Sequence, residues 1–137
     1  MASRLNPYLN FDGTARQAME FYRGVFGGEL TVSTYGESGM AAPGHEDKVM
    51  HAQLETPAGY TLMASDTPAG MDLSVGSSVS ISLSGDDGDE LRGYFAGLSE
   101  GGAVTMPLEK QVWGDEFGMC VDPFGVAWMV NISQPAA

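Results

Sequence analysis

His51 has the side chain best suited to proton transfer near neutral pH, and it lies inside a predicted strand. Residues 48–55 alternate apolar and polar side chains, which is the period of a β-strand. The alternation puts His51 on the polar side, next to Gln53. An imidazole in that place suits a general base. A histidine that is hydrogen-bonded for structural reasons is the simpler interpretation, and catalysis by His51 is the alternative.

A metal site would need more ligands than this strand supplies. The other histidine, His45, is followed by Glu46 and Asp47 in a polar stretch with Gly and Pro, which predicts a loop with His45 in solvent. These three residues and His51 could form a metal site, but their spacing matches no metal-binding motif. The sequence therefore predicts no metal cofactor and leaves a divalent metal as an alternative.

The other reactive side chains have simpler interpretations. Asp66, Asp115 and Glu116 come near predicted strand ends, and Asp115 and Asp122 are most simply turn residues. Cys120, the single cysteine, alternates with Met119 in a strand, which indicates a buried side chain and excludes an internal disulfide. No catalytic triad order, phosphate loop or dinucleotide motif is present.

The composition limits the partners. A net charge of −12 over 137 residues makes nucleic acid an unfavourable partner, because phosphate binding requires a basic surface. There is no run of about 18 apolar residues and no apolar segment of a secretory signal, so we expect no membrane span and a cytoplasmic location. Solubility is the simpler explanation of the acidity, and attraction of a cationic ligand is the alternative.

The first half of the chain predicts four strands around one helix. The strands are predicted at residues 5–11, 29–35, 48–55 and 60–65. The helix follows the first strand, with Thr14 and Gln17 in a capping-box pattern. Gly27 and Gly28 end it, because glycine adopts the left-handed conformation of a C-cap.

The second half repeats this pattern. Strands are predicted at residues 78–84 and 103–112. A closing hairpin follows, with its turn at residues 122–125 (DPFG) and its second strand at 126–132. Asp87 with Glu90 predicts the start of the second helix, and Gly101 and Gly102 its end.

The repeat predicts an α+β fold of two βαβββ modules packed into a curved mixed sheet that encloses a concave cleft, with the helices on the outer face. Module one spans 4–66, a linker 67–77, and module two 78–134, all within one domain. The helix-covered side takes Pro7, Leu9, Phe11, Val79, Ile81, Leu83, Val126, Trp128 and Val130. The cleft side takes the candidate ligand-binding residues Asn6, Tyr8, Asn10, His51, Gln53, Met63, Ser65, Ser78, Ser80, Trp113, Met129 and Asn131.

Several motifs, taken in order, resemble the vicinal oxygen chelate superfamily, which contains glyoxalase I, bleomycin-resistance proteins and extradiol dioxygenases. They are residues 7–11 (PYLNF), 18–22 (AMEFY), 26–30 (FGGEL), 49–52 (VMHA), 63–66 (MASD), 113–115 (WGD) and 122–125 (DPFG), with Trp128. Within the superfamily the chain is similar to the PhnB-like branch, also labelled demethylubiquinone-methyltransferase-like. The resemblance implies the same glyoxalase-like fold and a homodimer.

Glyoxalase-type members chelate a divalent metal through four side chains, two from each module. By resemblance those positions fall on Asn6, Met63 (or Ser65), Ser78 and Met129. Amide, hydroxyl and thioether groups are poor ligands for zinc or nickel. The resemblance therefore implies a protein that binds a small molecule without the usual metal ligands. Two alternatives are a metal-dependent lyase, isomerase or dioxygenase of glyoxalase type, and a protein that sequesters bleomycin-type antibiotics. Whether the chain is an enzyme stays open.

Overall fold

The computed structural model describes residues 3–39, 41–68, 70–74, 76 and 78–134. They divide into two compact units, Met1–Val75 and Gly76–Ala137. The elements of module one are β1 (Tyr8–Phe11), α1 (Ala15–Phe26), β2 (Glu29–Thr34), β3 (Val49–Glu55) and β4 (Thr61–Asp66). Those of module two are β5 (Ile81–Gly85), α2 (Gly88–Ser99), β6 (Ala103–Lys110), β7 (Glu116–Val121) and β8 (Ala127–Ile132). The predicted α+β class with two βαβββ modules is confirmed. The module bounds and the cleft stay predictions.

Both modules pair their strands in the same way. The sheet orders are β1-β4-β3-β2 and β5-β8-β7-β6. In each sheet the first strand is parallel to the fourth, and the remaining neighbours are antiparallel. A parallel pair needs a crossover between its strands, and the helix and two further strands of each module supply it.

Each helix buries one apolar stripe against its own sheet. In α1 the buried residues recur at helical spacing: Ala15, Ala18, Met19, Tyr22 and Phe26. In α2 they are Leu91, Tyr94, Phe95 and Leu98. The sheet residues on the same side as the helices are also buried, with 1% exposure or less. They are Ala52, Leu54 and Ala64 in module one and Cys120, Trp128 and Val130 in module two. Burial of one sheet face leaves the other face of each module for function.

The double glycine after each helix has the same physical reason in both modules. Gly27 and Gly101 have φ values of 75° and 79°, where only glycine is unstrained. At the second glycine, a Cβ would lie 2.1 Å from a main-chain carbonyl oxygen, that of Glu55 for Gly28 and that of Val121 for Gly102. The double glycine therefore recurs in the sequence because, in both modules, the chain after the helix passes too close to another main-chain segment for a side chain to fit.

The two helices begin differently. The Asp87 side chain accepts a hydrogen bond from the Glu90 amide, which confirms the predicted cap of α2. The predicted capping box of α1 is wrong, because the Thr14 side chain makes no capping hydrogen bond. The Asp66 carboxylate from β4 accepts from the amide of Ala15 instead.

Two strands begin later than predicted. β8 starts at Ala127 and pairs in parallel with β5 from Ile81 onward, so residues 78 and 79 have no strand beside them. The prediction that a helix covers Val79 is therefore wrong, and its side chain is 77% exposed. β1 likewise begins at Tyr8, after a proline that has no amide to donate. No helix in the described part of the chain is long and apolar enough to cross a membrane.

Candidate functional site

The helix-free side of the first sheet carries mostly neutral polar groups. We call it the polar face and define it by Tyr8 and Asn10 of β1, His51 and Gln53 of β3, and Met63 and Ser65 of β4. Tyr8 lies opposite Met63 and Asn10 opposite Ser65, while Met63 also pairs with Gln53. Strand alternation puts these side chains on one side. The structure thus brings six of the twelve predicted ligand-binding residues together on one sheet.

Tyr8 and His51 form a hydrogen-bonded pair on the polar face. The Tyr8 hydroxyl lies 3.2 Å from Nδ1 of His51, and the ring centroids are 5.8 Å apart with a tilt of 39°. Tyr8 is 46% exposed and His51 is half-buried, so a ligand can reach both. With Nδ1 unprotonated, Tyr8 donates to it and Nε2–H is left as a donor. With Nδ1 protonated, Nε2 is left as a base.

One end of the polar face is closed by a charged cluster that sequence reasoning missed. Hydrogen bonds from Thr61 (2.8 Å) and from Gln53 (2.5 Å) lower the pKa of the Glu55 carboxyl, and Arg4 lowers it further. Arg4 donates to Thr61 at 3.1 Å and lies 3.5 Å from Glu55. Gln53 therefore already has one partner. Alternating polarity in β3 was the only sequence signal for Glu55.

The carboxylate of Asp66 is structural. It is 2% exposed and accepts three main-chain hydrogen bonds, from Gly13 (2.9 Å), Ala15 (3.0 Å) and Val49 (2.8 Å). Its own carbonyl accepts from the Tyr35 hydroxyl at 2.9 Å. Burial raises the pKa of Tyr35, and the Asp66 charge and the Tyr8 phenol raise it further. These contacts lock the ends of β1, β3 and β4 together behind the polar face.

The helix-free side of the second sheet carries methionine and aromatic side chains beside a few polar ones. We call it the methionine face and define it by Met106 of β6, Met119 and Phe117 of β7, and Met129 and Asn131 of β8. Met119 lies opposite both Met106 and Met129, and Phe117 lies opposite Asn131. At its edge, the Trp113 ring meets Phe117 edge to face, with centroids 6.1 Å apart. Three further predicted ligand residues, Trp113, Met129 and Asn131, therefore lie on or beside this face.

Asn131 and Trp113 are held in place by the turn between β6 and β7. The Asn131 amide donates to Asp115 at 3.0 Å, and the amide of Gln111 donates to the Asp115 carbonyl at 2.8 Å. Trp113 stays 59% exposed at this turn. An exposed indole on an ordered turn can stack on a planar ligand.

The remaining reactive groups of module two are structural. Asp122 is 3% exposed and accepts from the amides of Phe124 and Val126 and from the Trp128 indole at 2.8 Å. The predicted burial of Cys120 is confirmed at 1% exposure. Burial, and then the nearby Asp122 charge, raise the pKa of Cys120 to about 11, so its thiol is a poor nucleophile at neutral pH.

Three predicted site residues lie outside both faces. Asn6 precedes β1, and its side-chain amide donates to the carbonyl of Pro7. Ser78 and Ser80 are exposed residues that precede β5, so their assignment to a strand face is wrong. In β5 it is Ser82 that lies opposite Met129.

The residues at the family's metal positions do not fit a divalent metal. Asn6 and Ser78 lie outside the strands, and the other two positions, Met63 and Met129, carry thioethers. Among the described residues, no group of three or more His, Cys, Asp or Glu side chains is placed to hold a metal ion. His45 is half-buried rather than solvent-exposed as predicted, and its Nδ1 has no hydrogen-bond partner within the described part of the chain.

An open notch of about 280 Å³ lies at the start of α2. It is lined by Asp86, Asp87, Gly88, Asp89, Arg92, Ile132, Ser133 and Gln134. Three aspartates at a helix start disfavour an anion, which agrees with the absence of a phosphate loop in the sequence.

Comparison with known proteins places this geometry in a family. Residues 4–130 match the Glyoxalase/Bleomycin resistance protein/Dioxygenase superfamily. Protein PA1353 from Pseudomonas aeruginosa is similar at 39% identity and a TM-score of 0.88, covering 98% of this chain and 100% of that one. A putative 3-demethylubiquinone-9 3-methyltransferase, PhnB protein, from Bacillus cereus is 28% identical with a TM-score of 0.78, over 96% and 100% of the two chains. Protein YjdN from Escherichia coli is 28% identical over 93% of this chain and 94% of its own length. The predicted resemblance to the PhnB-like branch is confirmed.

Proposed function

This chain belongs to the Glyoxalase/Bleomycin resistance protein/Dioxygenase superfamily, and from that premise we propose that it binds a small organic molecule at its polar face, without the usual metal ligands. The observation that carries the proposal is the Tyr8–His51 pair. It offers both a phenol and an imidazole to a ligand at a place that solvent reaches.

The chemistry of the polar face favours a ligand with carbonyl or hydroxyl groups. Asn10 and Ser65 lie side by side next to the pair and can each donate and accept. The charged groups nearby, Arg4 and Glu55, already contact each other. A mostly neutral set of donors and acceptors selects by hydrogen-bond geometry, as ligand sites commonly do.

A direct test compares the two histidines. Full-length protein, wild type and variants, is incubated with a library of small carbonyl and hydroxyl compounds and examined by native mass spectrometry. We expect His51→Gln and Tyr8→Phe to weaken retention of any bound compound at least about tenfold, which corresponds to about 1.4 kcal/mol. His45→Gln, a matched change outside the polar face, should leave retention unchanged. Equal retention by His51→Gln and wild type would refute the proposal.

Substitution of His51 also tests whether the protein catalyses a reaction of its ligand. If the protein is an enzyme, His51→Ala should lower turnover about 100-fold or more, as removal of a general base does. If it only binds, the same variant changes affinity without any turnover to lose. Stoichiometric zinc or nickel in protein grown with these metals would instead support the metal-dependent alternative.

Antibiotic sequestration is a second candidate, favoured by one observation. The exposed Trp113 ring beside Phe117 can stack on a planar group, and the net charge of −12 attracts a cation. A cationic, bleomycin-type glycopeptide should then bind more weakly as salt rises, and Trp113→Ala should abolish binding. We also propose a homodimer and no nucleic-acid partner. Light scattering at micromolar concentration tests the dimer.

A further inference from the structure

Three methionines stand side by side across three neighbouring strands of module two. Met119 of β7 lies opposite Met106 of β6 on one side and opposite Met129 of β8 on the other. Residues directly opposite in an antiparallel pair share a face, with Cβ atoms about 5 Å apart. Each methionine has three rotatable side-chain bonds, so the three sulfurs can reach one point above Met119.

A register shift in β6 creates this row. Val104 lies opposite Cys120, which points to the helix side, whereas Met106 lies opposite Met119, with one extra residue between. Without that shift, strand alternation would put Met106 on the same side as Val104. Gly118 of β7 allows the main chain of β6 to pass close to it, since a Cβ at position 118 would lie 2.8 Å from the main chain of Leu108.

The row is accessible and does not serve as core. Met106 is 41% exposed, and Met119 and Met129 are half-buried, whereas Met19 in α1 is fully buried. Methionine is usually an interior residue, so three in register on a helix-free face need an explanation. Thioethers are soft ligands that require no deprotonation, and they select Cu(I)-like ions over the divalent metals of the family.

The surroundings of the row also suit a monovalent cation. Glu109 lies opposite Phe117, and the Asp115 carboxylate lies within a hydrogen bond of Asn131, so negative charge borders the face. The paired rings of Trp113 and Phe117 add π-electron density that attracts cations.

We propose that Met106, Met119 and Met129 form a thioether site for a soft monovalent metal ion of the Cu(I) class. This site is carried by module two alone and does not depend on the ligand proposed for the polar face.

The test uses full-length protein labelled with ¹³C at the methionine methyl groups, and Ag(I) as a redox-inert probe in chloride-free buffer. We expect three methyl resonances to shift together and to saturate at one equivalent of Ag(I). Met119→Leu should weaken Ag(I) binding at least about tenfold, and Met106→Leu, at an exposed edge strand that tolerates the change, should do the same. Met71→Leu is the matched control, because Met71 is 65% exposed in the other unit.

Other outcomes overturn the proposal. Shifts spread over Met50, Met63 and Met71 in proportion to exposure would indicate nonspecific contact with silver. Loss of binding in Cys120→Ala, with full binding in Met119→Leu, would assign the ion to the thiol. If the three resonances move only with a planar organic compound and not with Ag(I), the row is an apolar ligand surface.

Discussion

Replacement of Asp66 by asparagine tests how module one holds its polar face together. The carboxylate receives two amides, those of Gly13 and Ala15, on Oδ1, and the amide of Val49 on Oδ2. Asparagine keeps one oxygen for the first two donors. Its NH₂ group then faces the Val49 N–H, so a donor replaces an acceptor in a site that is 2% exposed.

The magnitude follows from these contacts. A hydrogen bond to a charged group contributes about 1.5–3 kcal/mol, and a buried donor left without a partner costs about 1–3 kcal/mol. The neutral asparagine offsets part of this loss, because burying a neutral side chain costs less desolvation free energy than burying a carboxylate. We therefore expect Asp66→Asn to lower the free energy of unfolding by about 3 kcal/mol, a large part of the usual 5–15 kcal/mol.

Urea unfolding followed by circular dichroism measures this change. Asp72→Asn is the matched control, because Asp72 is exposed and should cost less than about 0.5 kcal/mol. Asp122→Asn in module two, where the carboxylate has the same three-donor pattern, should behave like Asp66→Asn. A loss below about 1 kcal/mol for Asp66→Asn would refute the structural role of its hydrogen bonds.

Three other predictions concern single sites. Gly28→Ala should destabilise the protein by more than about 2 kcal/mol, because the new Cβ would lie 2.1 Å from a carbonyl oxygen. Gly24→Ala should stabilise it by about 1 kcal/mol, because Gly24 lies in α1 with open space around it. The denaturant midpoints of the two variants measure both changes. The Cys120 thiol, whose pKa is raised to about 11, should react with a thiol reagent at pH 8 at least about 100-fold more slowly in native protein than in urea, and equal rates would contradict its burial. Hydrogen bonds from Arg92 lower the pKa of the Glu116 carboxyl in the folded protein. The pair therefore stabilises the fold fully above the pKa of glutamate in the unfolded chain, near 4.3. This stabilisation is lost as the pH falls through the lower pKa of the folded state. Arg92→Gln should therefore flatten the acid side of a plot of melting temperature against pH, and an unchanged slope below about pH 4.5 would contradict the assignment.

Much of the fold could be predicted from the sequence because its signals are local. Strand alternation and helical spacing each act over a few residues, and the cap of α2 by Asp87 involves an amide only three residues away. The double glycines marked both helix ends by their conformational freedom. The polar side of β3 around His51 also followed from alternation alone.

What the sequence could not determine depends on register between distant segments. The cap of α1 comes from Asp66, 51 residues away, and the partner of His51 is Tyr8, 43 residues away. The start of β5 depends on where its parallel partner β8 begins, and the place of Met106 beside Met119 depends on a bulge in β6. The sequence by itself determined which elements form and which side of each is apolar, because those interactions are short-range. Only the tertiary structure decided which side chains meet, because a shift of one residue in strand pairing moves a side chain to the opposite face.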